Sequence, residues 1–373
     1  MPIIIGIFKL SLKFFYFFFK LFPINIDKIT FLSRQSNVPS LDILMIKKEL
    51  EKRNRNIECV ILTKRIGKKL SAKVGYYFYT LKQMYHLATS KVCIVDSYVI
   101  PVSVLNHKKD LVIIQIWHAM GAIKKFGYQC LDRPGGHKSD FAMQMRMHKN
   151  YDYVISGSDT MIPYFSEAFN VEKDKFISLG LPRMDYLIND SKKIKKEIHK
   201  KYPNINSKKV ILYVPTFRKN KNNKVEDLIN IIDLDKYNLI IKSHPNKKIN
   251  ITDERIYTCK DFSSLDLLTI ADYIITDYSA ISIEASVLNK PIYFYVYDYD
   301  EYISDTGVNI DLYKEMPNCV FETADKLYTS ITKKKYSFDQ LNKFRDKYVS
   351  NQNGDSTIKI VDLIIERGIK SEK

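Results

Sequence analysis

Short apolar runs rich in Val, Ile and Tyr alternate along most of the chain with longer amphipathic stretches, the rhythm of parallel strands joined by crossover helices. Strands are predicted at Ile29–Ser33, Ile57–Leu62, Lys91–Val95, Leu111–Trp117, Tyr153–Ser156 and Phe176–Leu179, with helices near Leu41–Arg53, Tyr76–Ala88 and Met161–Phe169. The Lys-rich segment Ser191–Ser207 carries Pro203 and reads as a helix plus an exposed linker. The rhythm then restarts, with strands at Val210–Val214, Asn238–Lys242, Arg255–Thr258, Tyr273–Thr276 and Pro291–Val296 and helices at Leu265–Ile270, Ser282–Leu288 and Ala324–Lys333. The pattern describes an α/β chain of two Rossmann-like domains, residues 25–200 and 205–350, with a terminal helix in 351–373 that crosses back to the first. A nucleotide site is expected in the cleft between two such halves, at the carboxyl ends of the strands.

Residues 1–24 stand apart as a strongly apolar segment interrupted by Lys9, Lys13 and Lys20. On a helical wheel those lysines fall within about 40° of one another. A spanning helix would bury charge in hydrocarbon, whereas a helix lying in the interface keeps the stripe among the headgroups. The segment is therefore read as an amphipathic membrane-associating helix. A signal peptide fits less well, since the basic residues do not precede the apolar core and no small-residue cleavage site follows. A helix packed on the protein itself stays open, because an amphipathic stripe does not name its partner.

At 373 residues the chain exceeds what one hydrophobic core supports, in keeping with two domains. Lys and Arg number 59 against 42 Asp and Glu, a net charge of +17 that attracts polyanions: nucleotides, anionic lipid or nucleic acid. Nucleic acid is disfavoured because the aromatic residues lie inside apolar runs and are not interleaved on a basic stripe. The five cysteines are widely spaced with no CxxC pair, which suggests neither a zinc site nor a disulfide framework and suits a reducing cytoplasm.

Four clusters stand where predicted strands end. In IQIWHAMGAIKKFG, His118 follows the only tryptophan and has a pKa suited to proton abstraction near neutral pH, with Lys124 and Lys125 close in sequence; the alternative is a structural histidine. In LGLPRMD a helix begins at Pro182, and Arg183 and Asp185 either bind substrate or pin the domains together by a salt bridge. LYVPTFR and KSHP both leave apolar strands, so Thr216, Arg218, Lys242 and His244 are expected to converge as a diphosphate clamp that needs no metal. In YIITDYSAISIEA a buried strand runs into Thr276, Asp277 and Ser279 before a helix carrying Ser282 and Glu284. Free N–H groups and hydroxyls at such a start form an anion site, or Asp277 or Ser279 simply caps the helix; Glu284 is placed to reach a ribose. Asp298-Tyr299-Asp300 has the spacing of a metal-binding DxD, but so short a string recurs by chance. No GxxxxGK[ST] or GxGxxG occurs, which disfavours P-loop and dinucleotide-binding enzymes.

Taken in order, WHA, LPRMD, YVPTFR, KSHP, TDYSAISIEA and PIYFYVYDYDEY resemble the CDP-glycerol glycerophosphotransferase family of teichoic-acid primases and polymerases, over roughly residues 110–305. The resemblance implies a glycosyltransferase-B-like fold with the acceptor at the first domain and a CDP-alditol at the second. It implies His118 as general base, His244 as a catalytic contact to the diphosphate, and Arg218, Thr276, Ser279 and Ser282 lining the nucleotide or phosphate site. It further implies no cofactor, a lipid-linked glycan or polyol-phosphate acceptor, and a place on the cytoplasmic face of the membrane. Ala119 and Ala280 depart from the family's usual Gly and Ser, which bears on substrate identity more than on chemistry. Two other readings stay open: a sugar-nucleotide glycosyltransferase of the same fold, and a basic membrane-surface binding protein without catalysis.

Overall fold

A computed structural model describes residues 2–216, 218, 224–243 and 251–369. The chain divides into two compact units, the first made of Met1–His118, Phe126–Arg183 and Asp355–Lys373 and the second of Ala119–Lys125 and Met184–Gly354.

The first unit holds a six-stranded sheet of β1 (Asn25–Ser33), β2 (Glu58–Thr63), β3 (Ser90–Val95), β4 (Val112–Gln115), β5 (Tyr153–Ser156) and β6 (Phe176–Ser178), in the order β2-β1-β3-β4-β5-β6. All its pairings are parallel. Strand β3 is buried along its whole length, as a central strand covered by helices on both faces must be. The helix Leu41–Arg53 begins on Ser40, whose hydroxyl accepts the Ile43 N–H, and its Lys52 and Arg53 meet the negative end of the helix dipole.

The second unit holds β7 (Lys209–Tyr213), β8 (Tyr237–Ile241), β9 (Tyr273–Thr276), β10 (Ile292–Tyr295) and β11 (Val320–Phe321), again all parallel, in the order β11-β10-β9-β7-β8. Ile211, Tyr213, Leu239, Ile275, Tyr293 and Leu327 lie in its core. The strand expected at Arg255–Thr258 is reduced to a single parallel bridge, Ile240 to Tyr257.

Both sheets share one topology. The first strand of each (β1, β7) has its second on one side and its third on the other, so the chain reverses its winding direction beside that first strand. Such a switch point leaves the loops at neighbouring carboxyl ends diverging to opposite faces, which opens a crevice. In the first sheet the crevice falls between β1 and β3, in the second between β7 and β9.

The N-terminal helix Pro2–Phe19 shows two faces. Leu12 and Tyr16 are buried, and the Tyr16 hydroxyl meets His107 Nδ1 at 2.8 Å. The opposite face leaves Ile7, Leu10, Phe14 and Phe17 at 59–69% exposure. The lysine stripe does not all stay in solvent as expected: Lys9 donates to the Gln144 carbonyl (2.7 Å) and Lys20 to that of Asn106 (3.4 Å), because the helix packs on its own unit along that edge. No helix among the described residues is long and apolar enough to cross a membrane.

Candidate active site

In the first unit the site grows from the loops after β1, β3 and β4. Trp117 has a left-handed backbone (φ 53°), a conformation that costs a non-glycine residue roughly 1–3 kcal/mol. The surroundings over-determine it. The Gln115 side-chain oxygen accepts the Trp117 N–H at 2.8 Å, and the indole stacks on Phe126 (5.1 Å, 21°) with its edge against Phe169. This turn presents the next residue, His118.

His118 is held from two sides. Its Nδ1 lies 3.0 Å from the Asp96 carbonyl, and its own carbonyl accepts Arg183 Nη1 at 2.9 Å. A carbonyl can only accept, so the Asp96 contact needs the proton on Nδ1, which makes Nε2 the basic nitrogen of the neutral ring. Gln35 Nε2 lies 3.2 Å from the same Nδ1, and in that tautomer the amide flips so that its oxygen accepts from the ring.

Arg183 pairs with Asp42 of the same unit, whose carboxylate accepts from the Arg183 N–H (2.8 Å) and from Nε and Nη2, so the pair fixes the His118 backbone. Asp42 is 1% exposed. Asp185, one turn on, is buried as well. Asp96 is buried, and burial pushes its carboxyl up to about 6 against the pull of Ser33 and Ser97. Lys124 and Lys125, expected beside His118, belong to the second unit, where they pair with Val308 and Gly307.

In the second unit residues that follow β7 and β9 form an ionic network. Asp277 accepts the Thr216 N–H at 3.0 Å and the Thr216 hydroxyl, and forms an ion pair with Arg218 (Nη2 to Oδ2, 3.0 Å). Arg218 also donates through Nε to Asp298 (2.7 Å), and its guanidinium lies over Tyr302 and Tyr278, 4.8 and 5.3 Å from the ring centroids. Asp277 is fully buried and Arg218 is 6% exposed. The flanking carboxylates raise the Arg218 pKa further despite burial. Of the expected clamp, Thr216 and Arg218 meet Asp277 here, and Asp298 also binds Arg218. Asp277 caps the β7 loop and not the helix that follows.

The remaining residues are spread more loosely. The Thr276 hydroxyl donates to the Val214 carbonyl (2.9 Å) and that of Ser282 to the Ser279 carbonyl (2.9 Å), while the Ser279 hydroxyl accepts the Ile281 N–H. Glu284 is buried on the helix Ile281–Ser286. Lys242, at the end of β8, turns to the Cys259 carbonyl (3.1 Å), and burial lowers its pKa. His244 lies outside the described residues. Sequence reasoning missed Gln35, Asp42 and Asp96, which stand on three separate segments and meet only through the order β1-β3-β4.

The fold is that of the wall teichoic acid polymerase TagF, whose solved structure superposes with a TM-score of 0.75 over 98% of this chain and 97% of that one, at 19% identity. Two relatives sharpen the match. The chain is 30% identical to the teichoic acid ribitol-phosphate primase of Bacillus spizizenii over 92% of both chains, and 32% identical to the teichoic acid glycerol-phosphate primase of Bacillus subtilis over 76% of both. The family model for CDP-glycerol:poly(glycerophosphate) glycerophosphotransferases matches residues 14–366, and the chain belongs to that family. It is a transferase of teichoic acid biosynthesis.

Proposed function

We propose that this enzyme moves glycerol phosphate, or a related alditol phosphate, from a CDP-alditol to a hydroxyl of a membrane-linked acceptor and releases CMP. The layout is that of a glycosyltransferase-B-like enzyme, with the acceptor bound by the first unit and the CDP-alditol by the second. His118 Nε2 takes the acceptor's hydroxyl proton. The resulting oxygen attacks the β-phosphorus, the bond from that phosphorus to the bridging oxygen breaks, and CMP leaves with the electron pair. A phosphodiester joins acceptor and alditol. The observation that carries the reading is the contact from His118 Nδ1 to the Asp96 carbonyl, which assigns the basic nitrogen. Ser279, Ser282 and Thr276 remain our choice for the donor's phosphates, with Lys242 as a nearby cation.

The test is CMP release by purified protein given a panel of CDP-alditols and a membrane acceptor. The expected result is CMP with at least one alditol; a nucleoside diphosphate from a sugar nucleotide, with no CMP, would point to glycosyl transfer. Because the match to a ribitol-phosphate primase spans the larger share of the chain, both CDP-ribitol and CDP-glycerol belong in the panel.

Peripheral attachment to the cytoplasmic membrane face is part of the same proposal. The exposed face of the helix Pro2–Phe19 supports it, as does the exposure of Leu70, Val74 and Phe78 on the helix Leu70–Thr89 that packs beside it. Burying one phenylalanine is worth about 1.5–3 kcal/mol. Replacing Phe14, Phe17 and Phe18 with serine should therefore weaken co-sedimentation with phosphatidylglycerol vesicles by tenfold or more. Leu12 and Tyr16 keep the helix docked, so the melting temperature should hold. Unchanged sedimentation would remove this helix as the anchor.

A further inference from the structure

We propose that a cavity at the β1/β3 switch point of the first unit binds the phosphodiester that precedes the reacting hydroxyl of a polyol-phosphate acceptor. Arg34 and Arg65 hold the phosphate, and Tyr98, Trp117 and Phe126 seat the alditol chain. The inference rests on the alditol-phosphate reading and adds what the acceptor must carry.

The cavity measures about 390 Å³, within the usual span of small-ligand sites of about 300–1,000 Å³. One side of it comes from residues just after β1, β2, β3 and β4 (Arg34, Arg65, Ser97 and Trp117 among them), the place where this topology opens a crevice, and the rest from Phe126, His137 and His148 further along the chain. Gln35 and Trp117 belong to that lining, and both touch His118. An acceptor seated there lies beside the proposed base.

The charge of the wall selects the ligand. Two arginines and two histidines, His137 and His148, line the cavity, and no carboxylate does. Asp96, next to the lining residue Ser97, is bonded by the hydroxyls of Ser33, Ser97 and Ser40, and Asp42 is neutralised by Arg183. Burial and the neighbouring Arg34 charge keep His137 below its usual pKa. Arg34 is poised but incompletely used: Nη1 donates to the Tyr98 carbonyl (3.0 Å) and the guanidinium lies over the Tyr98 ring, yet Nε is buried without a partner. An orphan buried donor is costly, and an anion is the ligand that relieves it. Paired guanidinium groups match the oxygen geometry of a phosphate. The apolar wall suits carbon, not a second charge. Together these features describe a monoanionic phosphodiester flanked by short alcohols, not a free inorganic ion.

Equilibrium dialysis of the full chain against radiolabelled glycerophosphoglycerol tests this without turnover. Saturable binding is expected, competed strongly by unlabelled glycerophosphoglycerol, weakly by inorganic phosphate and not by glycerol. Arg34→Gln and Arg65→Gln should each weaken binding tenfold or more. Arg65 is exposed, so its variant keeps the fold even if Arg34→Gln does not. In turnover, Arg65→Gln should raise KM for an acceptor bearing a phosphodiester by a similar factor. Absence of saturable binding, equal competition by glycerol, or unchanged binding in Arg65→Gln would each overturn the proposal. Binding that survives when no CDP-alditol yields CMP would sink the transfer reading and leave the cavity's ligand standing. CMP release without phosphodiester binding would do the reverse.

Discussion

Replacing His118 with alanine should lower the rate of CMP release by about a hundredfold or more, the usual worth of a general base positioned in the transition state. The expectation comes from the ring's fixed state, not from its being a histidine. The Asp96 carbonyl holds Nδ1 in one tautomer, Arg183 grips the His118 carbonyl, and the left-handed turn at Trp117 sets the approach. A residue that merely packed would not need its backbone clamped by an arginine that is itself locked to a buried aspartate. The loss should fall on kcat. Affinity for the CDP-alditol, measured by dialysis in the absence of acceptor, should change little, because the donor is assigned to the second unit. Near-normal turnover in His118→Ala would end the assignment of a base, and a matched loss of donor affinity would mean that the ring binds nucleotide instead.

The residues that made this site legible were those bounded sharply in sequence. Strands β5 and β9 and the helices Leu41–Arg53 and Ala324–Lys333 fall at the expected residues, since a continuous apolar run or a helical repeat stops there at Gly157, Asp277, Asn54 or Lys334. Strand β11 is only two residues long and leaves no periodicity to read. At Arg255–Thr258 a β-rich run was expected to pair along its length, but only Tyr257 finds a partner. The helix Phe338–Tyr348, capped by the Ser337 hydroxyl, carried a readable start signal that went unused.

The site divides in the same way. His118 announces itself by following Trp117 at a strand end. Arg34, Asp42 and Asp96 do not, since each is one polar residue in an unremarkable loop or cap. Only the spatial order β2-β1-β3-β4 brings them together, and that order is a long-range property of the chain. A signal for them existed in the rule that ligands gather beyond the carboxyl ends of strands at a switch point. Applied to the expected strands, it points to the residues after Ser33 and Val95, namely Arg34, Gln35, Asp96, Ser97 and Tyr98. The second sheet obeys the same rule, with the difference that the residues after β7 and β9 meet in a buried ion network of Thr216, Arg218 and Asp277.

That difference yields the other large effect. Arg218→Met should destabilise the second unit by about 3–5 kcal/mol, the typical cost of removing one partner from a buried ionic cluster. The reason is what remains. Asp277 is fully buried and Asp298 nearly so, and both depend on the guanidinium that the substitution removes, although Asp277 keeps its bonds from Thr216. Methionine fills the space between Tyr278 and Tyr302 without supplying a donor. For a unit of this size each kcal/mol is worth about 2–4 °C, so its melting transition should fall by roughly 10 °C. Calorimetry of the full chain measures this directly. If Arg218 also contacts the donor's phosphates, the variant should in addition raise the KM for the CDP-alditol. The buried network predicts stability lost first, with the Thr216 carbonyl losing the bond from Arg218 Nη1.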